Sequence, residues 1–164
     1  MDPRQLDQTV ARHLPRLRVV SVAFCGSALL YIGVAWLLVE QLGMPPLLEL
    51  PFAVAVGIAV SQLLVILAGY LTARALRAAP AQRPGAGPPA PDDTEAALQR
   101  YTRSVVVASA LREVAAVVGL LLTLFTGEIL WVVLLAAAAV VSMLIHWPRH
   151  DAVVDFLQQQ RVGR

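Results

Sequence analysis

Apolar residues run through this chain in four long stretches, and the two ends carry shorter segments in which apolar and charged positions recur at helical spacing. The stretches are 19–39, 52–73, 105–125 and 129–145. About 17–25 apolar residues rising ~1.5 Å each cross the ~30 Å hydrocarbon core of a bilayer, so each stretch is predicted to be one membrane-spanning helix. The breaks between them are short and polar or rich in proline. Pro45-Pro46 ends any helix after the first stretch, and Gly127-Glu128 forms a tight turn before the last. The third helix is predicted to begin at Asp92-Asp93-Thr94-Glu95, an acid-rich start with a capping box, and to run unbroken to Thr126. That is longer than the hydrocarbon core, so its first third, with Arg100 and Arg103, is expected to project into water or headgroups.

The end segments are amphipathic. In 2–17, Leu6, Val10, Leu14 and Leu17 make one stripe, and Pro15 is expected to kink or end the helix near Leu14. Its arginines suit lipid headgroups. In 149–160, Val153, Val154, Phe156 and Leu157 give an apolar side expected to lie on the membrane. The chain divides into an N-terminal interfacial helix (1–18), a first transmembrane hairpin (19–77), a Pro/Gly-rich cytoplasmic loop (78–93), a second hairpin (94–147) and an amphipathic tail (148–164). The predicted fold class is therefore all-α, an integral membrane four-helix bundle of two helical hairpins with flanking amphipathic interfacial helices.

Composition agrees. Of the 164 residues 58% are hydrophobic and 15% charged, where a soluble domain carries about 45–50% and about 25%. All thirteen basic residues are arginine, which with the Ala, Val, Leu and Pro content points to a GC-biased bacterial genome. Four arginines precede the first stretch, five lie in or beside the long loop, three lie in the tail, and the two other connections have none. The positive-inside rule then puts both termini and the long loop in the cytoplasm of a multi-pass protein of the bacterial inner membrane. Arginine placed at the ends of apolar runs reads as topology, and no nucleic-acid partner is expected. The single cysteine, Cys25, excludes an internal disulfide framework or a CxxC metal site.

Candidate chemistry sits in the third stretch. Arg112 and Glu113 fall near its middle, where a charge costs at least ~2.5–3.5 kcal/mol on insertion scales. As neighbours they point about 100° apart and need not pair. Arg112 is long enough to snorkel toward the inner interface, and Glu113 is not. Glu113 therefore needs a partner, and Gln62, Ser27 and Ser109 lie at similar depth. Tyr31, past the midplane of the first span, has a hydroxyl with the same need. Ala53, Gly57 and Ser61 form a small-xxx-small ladder expected to pack span two against a neighbour. His146 and His150 read as interfacial histidines. With no GxSxG, HExxH or phosphate-cradling glycine loop, the sequence predicts no catalytic residues, metal or cofactor.

The run Ala110-Leu111-Arg112-Glu113-Val114-Ala115-Ala116-Val117-Val118-Gly119-Leu120 resembles the ion-carrying helix of rotary ATPase proteolipid (c-type) subunits. There an acid is followed by small residues and then Gly-Leu, and the resemblance implies proton or cation transport through Glu113. The chain departs from that family in lacking a glycine ladder on a partner helix. It also has Gln82-Arg83-Pro84 where the family has Arg, then Gln or Asn, then Pro. From about residue 100 to 157, the acid in the third span, Thr126-Gly127, and the His146-Trp147-Pro148-Arg149 start of the tail resemble a group of small bacterial four-span membrane proteins. That resemblance implies the four-span layout. The expected function is a non-enzymatic structural or partner-binding component of a membrane assembly, in the lipid bilayer, as a homo-oligomer or with another membrane protein. The alternative is a proton- or cation-translocating subunit using Glu113.

Overall fold

A computed structural model describes residues 3–78 and 91–162, with side chains from 8 to 77 and from 95 to 158. The Pro/Gly-rich loop, Asp2, and the side chains of Leu6 and of the capping residues Asp92 to Thr94 lie outside the described residues. The described chain is all α, with no strand among these residues. Helix α1 is Pro3–Trp36, extended by a π-helical turn at Leu37–Gln41; α2 is Phe52–Ala78, α3 Pro91–Thr126, α4 Leu130–Ile145 and α5 His150–Val162.

Helix α1 passes through Pro15 without ending, so 1–18 is not a separate interfacial helix. An internal proline removes one backbone hydrogen bond and crowds the preceding turn, at about 3 kcal/mol or more. Packing offsets it. Val10, Leu14 and Leu17 are buried in one cluster with Ala97, Leu98, Tyr101 and Val105 of α3 and Val153, Phe156 and Leu157 of α5. Burying a large aliphatic side chain contributes roughly 1.5–3 kcal/mol, so three of them outweigh the proline, whose own ring is exposed on the opposite side.

This cluster corrects a further expectation. The apolar side of α5 rests on α1 and α3 instead of lying on lipid, and the rings of Phe156 and Tyr101 meet with centroids 5.5 Å apart. Along the first third of α3, Ala97, Leu98 and Tyr101 are enclosed by these neighbours. Three amphipathic segments thus cover one another and form a helical cap at one end of the molecule.

Beyond the cap, α3 is the central helix. It packs on α1, α2, α4 and α5, whereas α1 and α2 scarcely meet. Small residues set the close approaches. A Cβ on Gly119 would lie 3.0 Å from both the Leu135 Cβ and the Val132 Cα of α4, and one on Gly69 would lie 3.2 Å from the Leu111 Cβ. Ala28, Ala116, Ala136 and Ala139 close the junction of α1, α3 and α4. Among the described residues three helices are long and apolar enough to cross a membrane, over Gln8–Gln41, Phe52–Arg77 and Glu95–Thr126; α4 and α5, bent by 60°, count as a fourth only if taken together.

At the end away from the cap, the connection after α1 ties the two halves together. Leu47 and Leu48 donate their N–H groups to the carbonyls of Leu124 and Phe125, which α3 leaves without helical partners. Gly127, at φ +73°, ends α3 in a left-handed conformation that suits glycine. The buried Thr123 hydroxyl accepts the Val132 N–H at 3.1 Å and so caps α4 from the preceding helix. Trp131 is 7% exposed and lies against the Phe52 ring.

The Ala53, Gly57 and Ser61 ladder faces outward. All three are exposed, and a Cβ on Gly57 would meet nothing within 4 Å. Ala55, two residues from both Ala53 and Gly57 and so about 200° around the helix, is the fully buried one, packed with Leu122, Trp131 and Leu135. Among the described residues of this chain the ladder packs against no other helix.

The two kinds of glycine predict different outcomes. Gly119→Leu drives a side chain into the α4 backbone and should lower stability by about 1–3 kcal/mol or more. Gly57→Leu fills open space and should leave the chain's own stability unchanged. Thermal unfolding in detergent measures both, and equal losses would contradict this packing.

Candidate functional site

Glu113 of α3 has two partners, both on α1. Ser27 Oγ donates to Glu113 Oε1 at 2.7 Å, and the Tyr31 hydroxyl donates to the same oxygen at 3.1 Å. Ser27 and Tyr31 are four residues apart, so they share one face of α1 on successive turns. The Ser27 Oγ also lies 2.9 Å from the Phe24 carbonyl, so its single proton is shared between that carbonyl and the carboxylate. Beside them Ala28 packs on Ala116, one turn after Glu113, so the helices meet closely where the carboxylate crosses between them. Glu113 is half-buried. Chemically the arrangement is a three-member polar link between two apolar helices.

Gln62 and Ser109, expected as partners of Glu113, are not. Helix α2 approaches α3 at Leu111, where Gly69 meets it. Leu111 is two residues, hence about 200°, from Glu113, so the carboxylate points away from α2. Gln62 instead donates to Ser61 Oγ at 3.3 Å, and its buried Oε1 has no partner. Ser109, four residues before Glu113 and so only about 40° from it, is buried where α3 borders a cavity, and no hydrogen bond joins it to the carboxylate.

The same border carries Arg112. Val105, Ala108, Ser109 and Arg112 follow one another at spacings of three, one and three, and together they line a cavity of about 230 Å³. Helix α1 contributes Ser21, α2 Tyr70, Ala73, Arg74 and Arg77, α4 Met143, and His146 follows at the C-terminus of α4. Arg112 does not snorkel to an interface. It is 4% exposed, and its buried Nε has no hydrogen-bond partner. Arg77 donates from Nε to Ser104 Oγ at 3.2 Å and lies over the Tyr101 ring, joining the cavity to the cap. The His146 Nδ1 is 2.8 Å from the Ser142 carbonyl, and its ring rests on that of Tyr70.

Sequence reasoning named Glu113, Ser27, Tyr31, Arg112 and Ser109 but not the cavity. The signal was present in Arg74 and Arg77, three apart at the end of span two, and in His146 at the matching end of span four. Read separately, each is an interfacial residue. Only the packing of α2 and α4 on the same face of α3 brings them to Arg112. Among the described residues no group of three or more His, Cys, Asp or Glu side chains is placed to hold a metal ion.

The Glu113 link should behave as a unit. Ser27→Ala and Tyr31→Phe each remove one donor and should each lower detergent thermal stability, by about 0.6–2 kcal/mol. In a Glu113→Leu background the same changes should have little further effect, because the acceptor is gone. Additive losses in a double-mutant cycle would show that the hydroxyls act independently of the carboxylate.

Comparison with known proteins gives no match: no family model fits the chain, and neither a curated protein nor a solved structure matches it.

Proposed function

We propose that this chain is a non-enzymatic structural or partner-binding component of a membrane assembly, in which Glu113 is a link between helices and not an ion carrier. The observation that carries this reading is the pair of hydroxyls on Glu113 Oε1. An ion-carrying carboxylate must exchange its partner in each cycle. One held by two donors from a single helix, beside a close alanine contact, instead fixes that helix. In this proposal the chain crosses the bacterial inner membrane four times. The shorter α4 completes the set, and the cap, formed by the two end segments and the start of α3, lies on the cytoplasmic side with both termini. Arginine placement supports that orientation, because the arginines gather at the cap end and the connections at the other end have none. The outward ladder of Ala53, Gly57 and Ser61 leaves a small-residue surface for a second copy or another membrane protein.

Two measurements test this reading. Wild-type protein in proteoliposomes should carry no proton or cation flux, and Glu113→Gln, which keeps the shape and one hydrogen-bonding oxygen, should leave assembly intact. Flux in the wild type that Glu113→Gln abolishes would replace the structural reading with the transport one. Single cysteines in a Cys25→Ser background should label from outside only at 40–51 or 127–128. Labelling of the loop at 79–90 from outside would reverse the topology.

A further inference from the structure

The cavity around Arg112 poses a problem of charge. A guanidinium does not shed its proton to escape burial, so a buried arginine needs a counter-charge or a full set of acceptors. Arg112 has neither at its Nε. The acid next to it in sequence is turned to α1 and held there by Ser27 and Tyr31. The other charged groups facing Arg112 across the cavity are Arg74 and Arg77 of α2, with His146 beside them, and among the described residues no carboxylate lines the space. Arg112 and the exposed Arg74 therefore converge, with Arg77, on a cavity of about 230 Å³ whose described wall holds no carboxylate.

The geometry points to an anion site: this cavity binds a phosphate group, supplied either by the headgroup of an anionic phospholipid or by free phosphate. The planar guanidinium of Arg112 presents paired N–H donors that match two oxygens of a tetrahedral oxyanion. Size limits the ligand. The volume equals the share of roughly seven or eight waters and falls below the ~300 Å³ at which pockets for drug-sized molecules begin, so it suits a phosphate head and not a nucleotide. Access is available because Arg74 is exposed, so the cavity reaches the surface at the end of α2. Basic pockets between transmembrane helices at this level are where lipid headgroups bind. Bound there, the phosphate would join α2, α3 and the C-terminus of α4, at a cavity that Ser21 of α1 also lines.

The test uses the full chain, purified and stripped of lipid in a non-ionic detergent. Thermal unfolding is followed against inorganic phosphate, with sodium chloride at matched ionic strength as control. It is followed separately against phosphatidylglycerol, with a diacylglycerol of the same chains as control. At least one phosphate-bearing ligand should raise the unfolding temperature in a saturable way. Arg112→Gln should need about tenfold more of it or worse, as expected for loss of a charged hydrogen bond. Arg74→Gln changes an exposed side chain and so keeps the test open if the Arg112 variant does not fold; it should weaken the response in the same direction. A response to phosphatidylglycerol alone assigns the headgroup as the source, and one to inorganic phosphate assigns the free anion. The proposal is overturned if neither ligand exceeds its control, or if the folded variants respond as the wild type does.

Discussion

Helices apolar enough to cross a membrane leave their polar groups to find partners within the protein, and among the described residues that constraint gathers them around α3. Three polar side chains of α3 turn to different neighbours. Glu113 meets two hydroxyls of α1, Thr123 caps the start of α4, and Arg112 turns into the cavity that α2 and α4 enclose. The last carbonyls of α3 are taken by Leu47 and Leu48 from the connection between the first two long helices. Since α1 and α2 scarcely touch, their relative placement depends on what each makes with α3. A polar contact within a membrane is worth only ~0.6–2 kcal/mol, yet it is directional. The alanine and glycine contacts supply close packing, and the polar contacts fix which face of each helix packs.

The cap follows a different rule. Its three segments are amphipathic, and each has an apolar side too narrow to be stable alone in water. The observed solution is mutual burial of Val10, Leu14 and Leu17 with the start of α3 and with Val153, Phe156 and Leu157. Arg77 couples the two regions, bonded to Ser104 and stacked on Tyr101, whose ring is itself part of the cap. Movement of α5 or of the N-terminal half of α1 would therefore be felt at the cavity.

Much of this was legible in the sequence, and the failures share a cause. The apolar runs located the long helices closely, since span length and hydropathy are properties of one segment. The acid at position 113 and its need for a partner were legible for the same reason, and depth alone selected Ser27. Depth could not reject Gln62, because rotation about the α3 axis is set by packing: Leu111 faces α2, and Glu113 therefore cannot. Pro15 read as a kink or an end because local cost was visible, while the offsetting contacts came from residues more than eighty positions away. The amphipathic stripes of the two ends were visible, but periodicity does not say whether lipid or protein covers an apolar face. The outward direction of the Gly57 ladder is the same ambiguity with the opposite outcome.

The account stands most directly on the environment of Glu113, and a structure determined in lipid nanodiscs would measure it. The expected result is Glu113 within hydrogen-bond distance of Ser27 and Tyr31, with Arg112 on another face of α3 in the α2–α4 cavity. A Glu113 side chain turned toward Gln62, or opening onto a continuous column of water, would contradict it.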